Sequence, residues 1–261
     1  MKTLRVKKSV SRGQMRSNRR LLLCLCGTIV LAAAVLVVFL CMRTPEADLV
    51  PDAPQTTTAP VSDDDDSAPF SSEALKAAHE QNSDVVGWLT VAGCEIDDPV
   101  VQAEDNDRYL RRTVESEAYD VWGCYFLDYI NRTDGYSLRD RVSIIYGHSL
   151  DDSAESERFS KLKRYKNAEF SAAHPTVSFS TLHKHRQWEI FAVCDVPITI
   201  DYIDPNPDDE KFSATVSYML QNSYVDFGAE VGMQDRILLL STCTADPAVR
   251  FVIAAKQIEE R

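Results

Sequence analysis

Residues 235–256, DRILLLSTCTADPAVRFVIAAK, contain an apolar run, a short polar turn and a second apolar run. Aliphatic and β-branched runs separated by a turn with Pro247 predict two adjacent strands. Cys243 ends the first strand and Arg250 opens the second, so the turn brings them close together. A reactive thiol beside a guanidinium is one interpretation. A strand-end cysteine and a solvated arginine is the other, and spacing alone does not separate them.

Six further β-rich runs precede this pair, and turn residues bound each of them. They are VVGWLTVAG (85–93), EIDDPVVQ (95–102), GCYFLDYI (123–130), RVSIIYG (141–147), TVSFSTL (176–182) and QWEIFAVCDV (187–196). Many short strands and few helices predict a mainly β fold, either a closed barrel or a sandwich, with helices at its periphery.

Three segments have the apolar spacing of helices. Residues 71–82, SSEALKAAHEQN, begin with a serine suited to capping a helix N-terminus. Residues 156–170 place Phe159, Leu162 and Tyr165 on one face, and residues 208–224 place Phe212, Val216, Met219 and Leu220 on another.

The N-terminal part of the chain has the pattern of a membrane anchor. Residues 21–42, LLLCLCGTIVLAAAVLVVFLCM, are uncharged and long enough to cross a bilayer as a helix. Eight basic residues precede them in segment 1–20, which predicts a cytoplasmic N-terminus and an extracellular remainder. A cleaved signal peptide is disfavoured, because the apolar run is long and no clean small-residue cleavage site follows it. Residues 43–70, rich in Pro, Thr, Ser and Asp, predict an extended linker before a catalytic domain at 71–261.

The charge distribution excludes nucleic acid as a partner. Nine of the 28 basic residues and none of the 40 acidic residues lie within positions 1–43, so the rest of the chain is strongly acidic. Such a surface repels a phosphate backbone. The run Asp63–Asp66 is interpreted as a solvated charge run, not a metal site.

Of the seven cysteines, three lie in the apolar segment, namely Cys24, Cys26 and Cys41. The other four have no C-x-x-C spacing, so a zinc site is not predicted. Cys94, Cys124 and Cys194 are interpreted as structural thiols, and disulfide formation among the four stays open.

Among the five histidines, His148 follows an apolar strand and a glycine. Its side chain is therefore expected at a rim of the β structure, as is that of Cys243. The other four have the context of a surface helix, a turn or a loop: His79, His174, His183 and His185. An imidazole that activates a thiol is a common arrangement for acyl transfer.

With these residues in place, the chain resembles the class B sortases over roughly residues 72–258. The resemblance rests on Ser241-Thr242-Cys243 at a strand end, Arg250 on the next strand, and Tyr146-Gly147-His148. Similar stretches also occur elsewhere, at NSDVVGWLTVAGCEIDDPVVQ (82–102), DNDRYL (105–110), GCYFLDYINR (123–132) and FSKLKRY (159–165). The helix at 72–82 and an insertion at about 200–232 with a helix before the catalytic strand indicate class B. The resemblance implies a sortase-like closed β-barrel.

The resemblance also implies a reaction. Cys243 attacks a Thr carbonyl in the C-terminal sorting signal of a secreted protein, and an amine of the cell-wall peptide or a pilin lysine takes the acyl group. His148 is implied as general acid and base, and Arg250 as the group that stabilises the oxyanion. The Thr244 backbone N–H is a second oxyanion donor. No cofactor and no metal are implied.

Further roles remain open at this stage. Ser241, Thr242 and Thr244 are candidates for substrate binding. Asp128 and Asp195 are candidates to orient His148, although ordinary surface carboxylates are the favoured interpretation. The alternatives to wall anchoring are a pilin-polymerising sortase, a wall-associated cysteine protease that uses water, and a non-catalytic binding module.

Overall fold

The computed structural model of the protein describes residues 72–134 and 137–258. The predicted segments 1–20, 21–42 and 43–70 lie outside this range, so their boundaries stay predictions. Within the described residues, no helix combines the length and the apolarity that a membrane crossing requires.

The described residues form eight strands, and each corresponds to one of the eight predicted runs. The strands are β1 (Val85–Val91), β2 (Ile96–Val101), β3 (Tyr125–Leu127), β4 (Val142–Tyr146), β5 (Thr176–Ser180), β6 (His185–Pro197), β7 (Ile237–Cys243) and β8 (Val249–Gln257). They close into a barrel in the order β1-β2-β3-β4-β7-β8-β6-β5, with β5 pairing back to β1. The predicted closed β-barrel is confirmed.

Two of these pairings position the site. β7 and β8 form an antiparallel pair, as the sequence predicts for adjacent strands. β4 and β7 pair in parallel, although they are far apart in sequence. A parallel pair requires a long crossover connection, and here the crossover contains β5, β6 and the insertion before β7.

The strand β7 is buried on both faces, which explains its continuous apolar sequence. Leu238 and Leu240 belong to the core inside the barrel, together with Phe251 of β8. Leu239 packs outside the barrel in a second core with Phe212.

The helices match the predicted segments with two corrections. Helix α1 (Glu73–Gln81) is capped by Ser72, whose hydroxyl accepts the Leu75 N–H. The segment predicted at 156–170 forms a 3-10 helix (Arg158–Lys166) followed by α2 (Ala168–Ala173). Its buried residues recur every three positions, which fits a helix with three residues per turn. Helix α3 (Asp209–Gln221) buries three of the four predicted face residues, whereas Leu220 is exposed.

Candidate active site

Cys243 is the last residue of β7 and the point where that strand leaves the core. The six residues before it are buried, whereas Cys243 is exposed and its thiol is free. A thiol in this position has access to solvent while its backbone is paired with β8. The structure therefore presents Cys243 at the barrel rim, as the sequence predicts.

The other three described cysteines are buried free thiols: Cys94, Cys124 and Cys194. Burial raises the pKa of each to about 12. A thiol with such a pKa is protonated at neutral pH and is a poor nucleophile. Their interpretation as structural thiols is confirmed, and the four described cysteines form no disulfide.

Arg250 lies directly opposite Cys243 in the antiparallel ladder of β7 and β8. Side chains of such partners project from the same face of the sheet, with Cβ atoms about 4.5–5.5 Å apart. One guanidinium nitrogen, Nη1, donates to the carbonyls of Pro247 at 2.9 Å and Val249 at 3.0 Å. These bonds hold the guanidinium against the turn and the strand start that follow Cys243.

His148 reaches the same rim through the pairing of β4 with β7. Tyr146 is the register partner of Ser241, and the Thr242 hydroxyl donates to the Gly147 carbonyl at 2.6 Å. His148 and Cys243 are the next residues after this bonded pair, one following β4 and one ending β7. They therefore leave the sheet side by side. The structure thus brings the three predicted catalytic residues to one end of the barrel.

Gly147 is required for close packing beneath His148. A Cβ atom at this position would lie 2.7 Å from a Tyr125 ring carbon and 2.8 Å from the Phe159 ring. Such distances are shorter than real Cβ contacts, so a larger residue displaces the aromatic rings or the backbone. A residue without a side chain is therefore needed at this position for steric reasons.

The imidazole of His148 is half-buried, and its Nε2 lies 2.6 Å from the Leu110 carbonyl. Because a carbonyl oxygen only accepts, Nε2 carries the hydrogen and Nδ1 is the basic nitrogen of the neutral ring. Burial lowers the pKa of His148, and the hydrogen bond to Leu110 opposes that shift. Of the neighbouring charges, Arg111 and Arg158 lower the pKa further, whereas Asp120 raises it. The net shift favours the neutral ring.

Two tyrosines flank the strand-end residues. The Tyr202 hydroxyl, in the insertion before α3, lies 2.9 Å from the Ser241 hydroxyl. The Tyr146 hydroxyl donates to Asp128 at 2.8 Å, and burial raises the pKa of both phenols. The sequence pattern includes Tyr146 only as part of a motif and gives no signal for Tyr202, which lies in the irregular part of the insertion before its helix.

The three residues predicted to bind substrate use their hydroxyls within the protein. Ser241 is buried against Tyr202, and Thr242 is buried with its hydroxyl on Gly147. The Thr244 hydroxyl donates to the Asp246 carbonyl at 2.9 Å, inside the turn after β7. Their part in substrate binding stays a prediction.

The two candidate orienting carboxylates have other partners. Asp128 is only 2 % exposed, so its interpretation as a surface carboxylate is wrong. It accepts hydrogen bonds from Tyr146 and from the Asn106 side chain. Asp195 accepts one from the Tyr224 hydroxyl at 2.6 Å and lies 3.8 Å from the Lys166 ammonium. The described contacts of both carboxylates therefore do not include His148.

His185 begins strand β6 instead of lying in a loop, and its Nδ1 is 2.9 Å from the Ser180 hydroxyl. Within residues 72–134 and 137–258, no group of three or more His, Cys, Asp or Glu side chains is arranged to hold a metal ion.

A barrel with a cysteine, a histidine and an arginine at one rim is the arrangement of a cysteine transpeptidase, and comparisons with known proteins agree. Sortase B of Listeria monocytogenes is 34% identical over 175 residues, which cover 67% of this chain and 68% of that protein. Sortase B of Staphylococcus aureus is 26% identical over 182 residues, covering 68% of this chain and 72% of that protein.

Solved structures give the same result. The Staphylococcus aureus sortase B–substrate complex superimposes with a TM-score of 0.64 at 25% identity, covering 72% of this chain and 85% of that one. No model of a known protein family matches the chain. The similarity to the Listeria and Staphylococcus relatives shows that the chain belongs to the class B sortase family. The chain is therefore a cysteine transpeptidase.

Proposed function

We propose that this transpeptidase cleaves the C-terminal sorting signal of secreted proteins at a Thr carbonyl and transfers each protein to an amine of the cell-wall peptidoglycan. The observation that carries the proposal is the register at the rim. Cys243 faces Arg250 across one ladder, and Thr242 bonds to Gly147, the residue before His148, across the other. A solved complex of Staphylococcus aureus sortase B with its substrate supports a substrate-binding site on this fold.

In the first half-reaction His148 Nδ1 takes the Cys243 thiol proton, the sulfur attacks the Thr carbonyl carbon, and the carbonyl oxygen becomes an oxyanion. The Arg250 guanidinium stabilises this charge as a hydrogen-bond donor, without exchanging a proton. The Thr244 backbone N–H adds a second donor. His148 protonates the departing amine, the C–N bond breaks, and a thioester to Cys243 remains.

In the second half-reaction an amine attacks the thioester. His148 removes the proton from the incoming nitrogen, with Nδ1 as its basic atom in the neutral ring. The C–S bond breaks, the thiol is regenerated, and the new amide joins the secreted protein to the wall. Burial lowers the pKa of His148, which favours the unprotonated form of that nitrogen.

The location follows from the N-terminal segments. Residues 21–42 anchor the enzyme as a single span with residues 1–20 in the cytoplasm, and residues 43–70 extend the domain from the membrane toward the wall. Extraction of the full chain by carbonate would contradict this part of the proposal, since a spanning helix stays with the lipid.

The activity is tested by mass measurement on a sorting-signal peptide incubated with the full-length enzyme, with and without a small peptide amine. The proposal expects a new amide product when amine is present and the same tail fragment in both cases. Cys243→Ala is the control and should give neither product. Hydrolysis that is unaffected by amine would instead favour a protease that uses water. Transfer to a pilin-type lysine peptide in preference to a wall-type amine would favour pilus assembly.

A further inference from the structure

The loop that follows His148 contacts the turn that follows Cys243 through one carboxylate. Asp152 Oδ2 accepts the backbone N–H of Ala245 at 2.9 Å. The two residues are 93 positions apart in the chain. This bond is separate from the strand ladders, and it joins the segments that leave the sheet at the imidazole and at the thiol.

The other carboxylate oxygen of Asp152 is held by a buried ammonium group. Lys163, from the 3-10 helix Arg158–Lys166, donates to Asp152 Oδ1 at 2.6 Å. It also donates to the Ser149 hydroxyl at 2.7 Å and the Asp151 carbonyl at 2.9 Å, so all three of its hydrogens have acceptors. Its side chain is 6% exposed, whereas that of Asp152 is 47% exposed.

Burying an ammonium group costs free energy unless all of its hydrogens are paired. The geometry in which Lys163 keeps its three hydrogen bonds is therefore favoured. Ser149, the residue after His148, is fixed in the same network, since its hydroxyl donates to the Asp151 carbonyl at 2.6 Å. The lysine therefore orders the first four residues after His148. Asp152 then extends that order to the turn after Cys243.

From these contacts we infer that Asp152 and Lys163 are positioning residues for the transpeptidation, and that they fix the turn 244–248 relative to the loop 149–157. The carboxylate orients the peptide group between Thr244 and Ala245, next to the Thr244 N–H proposed as an oxyanion donor. The same turn supplies the Pro247 carbonyl that holds Arg250. Both groups that stabilise the oxyanion therefore depend on a turn whose position Asp152 sets.

The negative charge of Asp152 contributes to its contacts with Lys163 and the Ala245 N–H. The hydrogen bond from Lys163 lowers the pKa of Asp152, and the bond from the Ala245 N–H acts in the same direction. An asparagine at 152 keeps the shape of the side chain but gives the buried ammonium only a neutral acceptor. Asp152→Asn therefore removes the charge and, because its amide has a single acceptor oxygen, one of the two hydrogen bonds, whereas Asp152→Ala removes both contacts.

Asp151, the residue before Asp152, provides a matched control. Asp151 lies in the same loop with an exposed carboxylate that accepts only the local Ser153 N–H at 2.9 Å. Asp151→Asn makes the same charge change one residue away. It leaves the Asp151 backbone carbonyl, and hence its bond from Lys163, in place.

The experiment measures kcat and KM for release of the tail from a sorting-signal peptide by the full-length chain and its variants. A misplaced oxyanion site lowers kcat by about 10- to 100-fold with little change in KM. We expect this for Asp152→Ala and, to a smaller extent, for Asp152→Asn and Lys163→Met, while Asp151→Asn stays within about twofold of the parent. Melting curves of each variant show that the protein assayed is folded.

A second measurement follows the contact itself. Hydrogen exchange of the Ala245 amide should accelerate at least about tenfold in Asp152→Ala but not in Asp151→Asn, because that amide loses its acceptor. Faster exchange with unchanged kcat would overturn the positioning role, as would an equal loss of kcat in Asp151→Asn. The inference rests on the proposed function: a parent enzyme that leaves the peptide intact refutes that function, whereas an active parent with unaffected Asp152 variants refutes the inference alone.

Discussion

The Thr242 hydroxyl donates to the Gly147 carbonyl across 2.6 Å, which joins the residue before Cys243 to the residue before His148. Thr242 is buried, so this bond is shielded from water. It aligns the ends of β4 and β7 one residue before each strand delivers its side chain to the rim. The distance between imidazole and thiol is therefore set by the backbone of two paired strands.

Thr242→Val is expected to lower both stability and activity. The substitution keeps the shape but leaves the Gly147 carbonyl without this donor, at a cost of about 1–3 kcal/mol in the free energy of unfolding. Urea denaturation measures that cost, and peptide turnover measures the effect on the site. Thr242→Ser retains the hydroxyl and should stay close to the parent. An equal loss in both variants would mean that the methyl group, not the hydrogen bond, is what matters.

Gly147→Ala is expected to destabilise the fold by about 1–3 kcal/mol, because its Cβ meets the Tyr125 and Phe159 rings. The displaced backbone also carries His148, so turnover should fall with stability. The control is Gly232→Ala, where the nearest atom to the new Cβ is an Asp235 oxygen at 3.7 Å. That variant should melt within a few degrees of the parent, and a similar loss at both positions would refute the steric argument.

Alkylation should distinguish Cys243 from the three buried thiols. Iodoacetamide reacts with thiolates, and burial raises the pKa of Cys94, Cys124 and Cys194 to about 12. At neutral pH we expect peptide mapping of the folded chain to find Cys243 modified well before these three. In denaturant all four should react at similar rates. Early modification of a buried thiol in the folded chain would contradict the described burial.

The pH dependence of stability should carry a contribution from His148. Its folded pKa lies below the unfolded value of 6.5, because burial disfavours the charged ring. The unfolded chain therefore binds more protons once the pH falls below about 6.5, and the folded state loses stability down to the lower folded pKa. Above 6.5 the contribution is absent. His148→Asn should reduce the slope of the unfolding free energy against pH below about 6.5. An unchanged slope would refute the lowered pKa of His148.

The pattern of the sequence predicts the strands well and the contacts at the rim less well. All eight strands appear as apolar or β-branched runs, because burial of strands in a barrel imposes that composition. The 3-10 helix was predicted as a helix of ordinary spacing, since Phe159, Leu162 and Tyr165 satisfy both periods over so short a segment. The strand order is not predicted, because no local signal specifies the parallel pair of β4 and β7.

The residues that support the site were the least predictable. Tyr202 and Asp152 lie in segments without regular periodicity, and their partners are 39 and 93 residues away in the chain. Asp128 was interpreted as exposed because carboxylates usually are, yet Tyr146 and Asn106 satisfy it in the interior. Hydrogen-bond partners at such separations depend on the assembled fold, which composition does not encode.

The parallel pairing of β4 with β7 also bears on the order of events during folding. Gly147 and Thr242, which this pairing brings together, are 95 residues apart, and β7 and β8 are the last two strands of the barrel. Contacts between such distant segments form slowly, because a long loop must close before they are gained. A nascent or truncated chain that lacks its last strands contains His148 but not Cys243. On the proposed mechanism, transpeptidation is therefore possible only after these strands have paired.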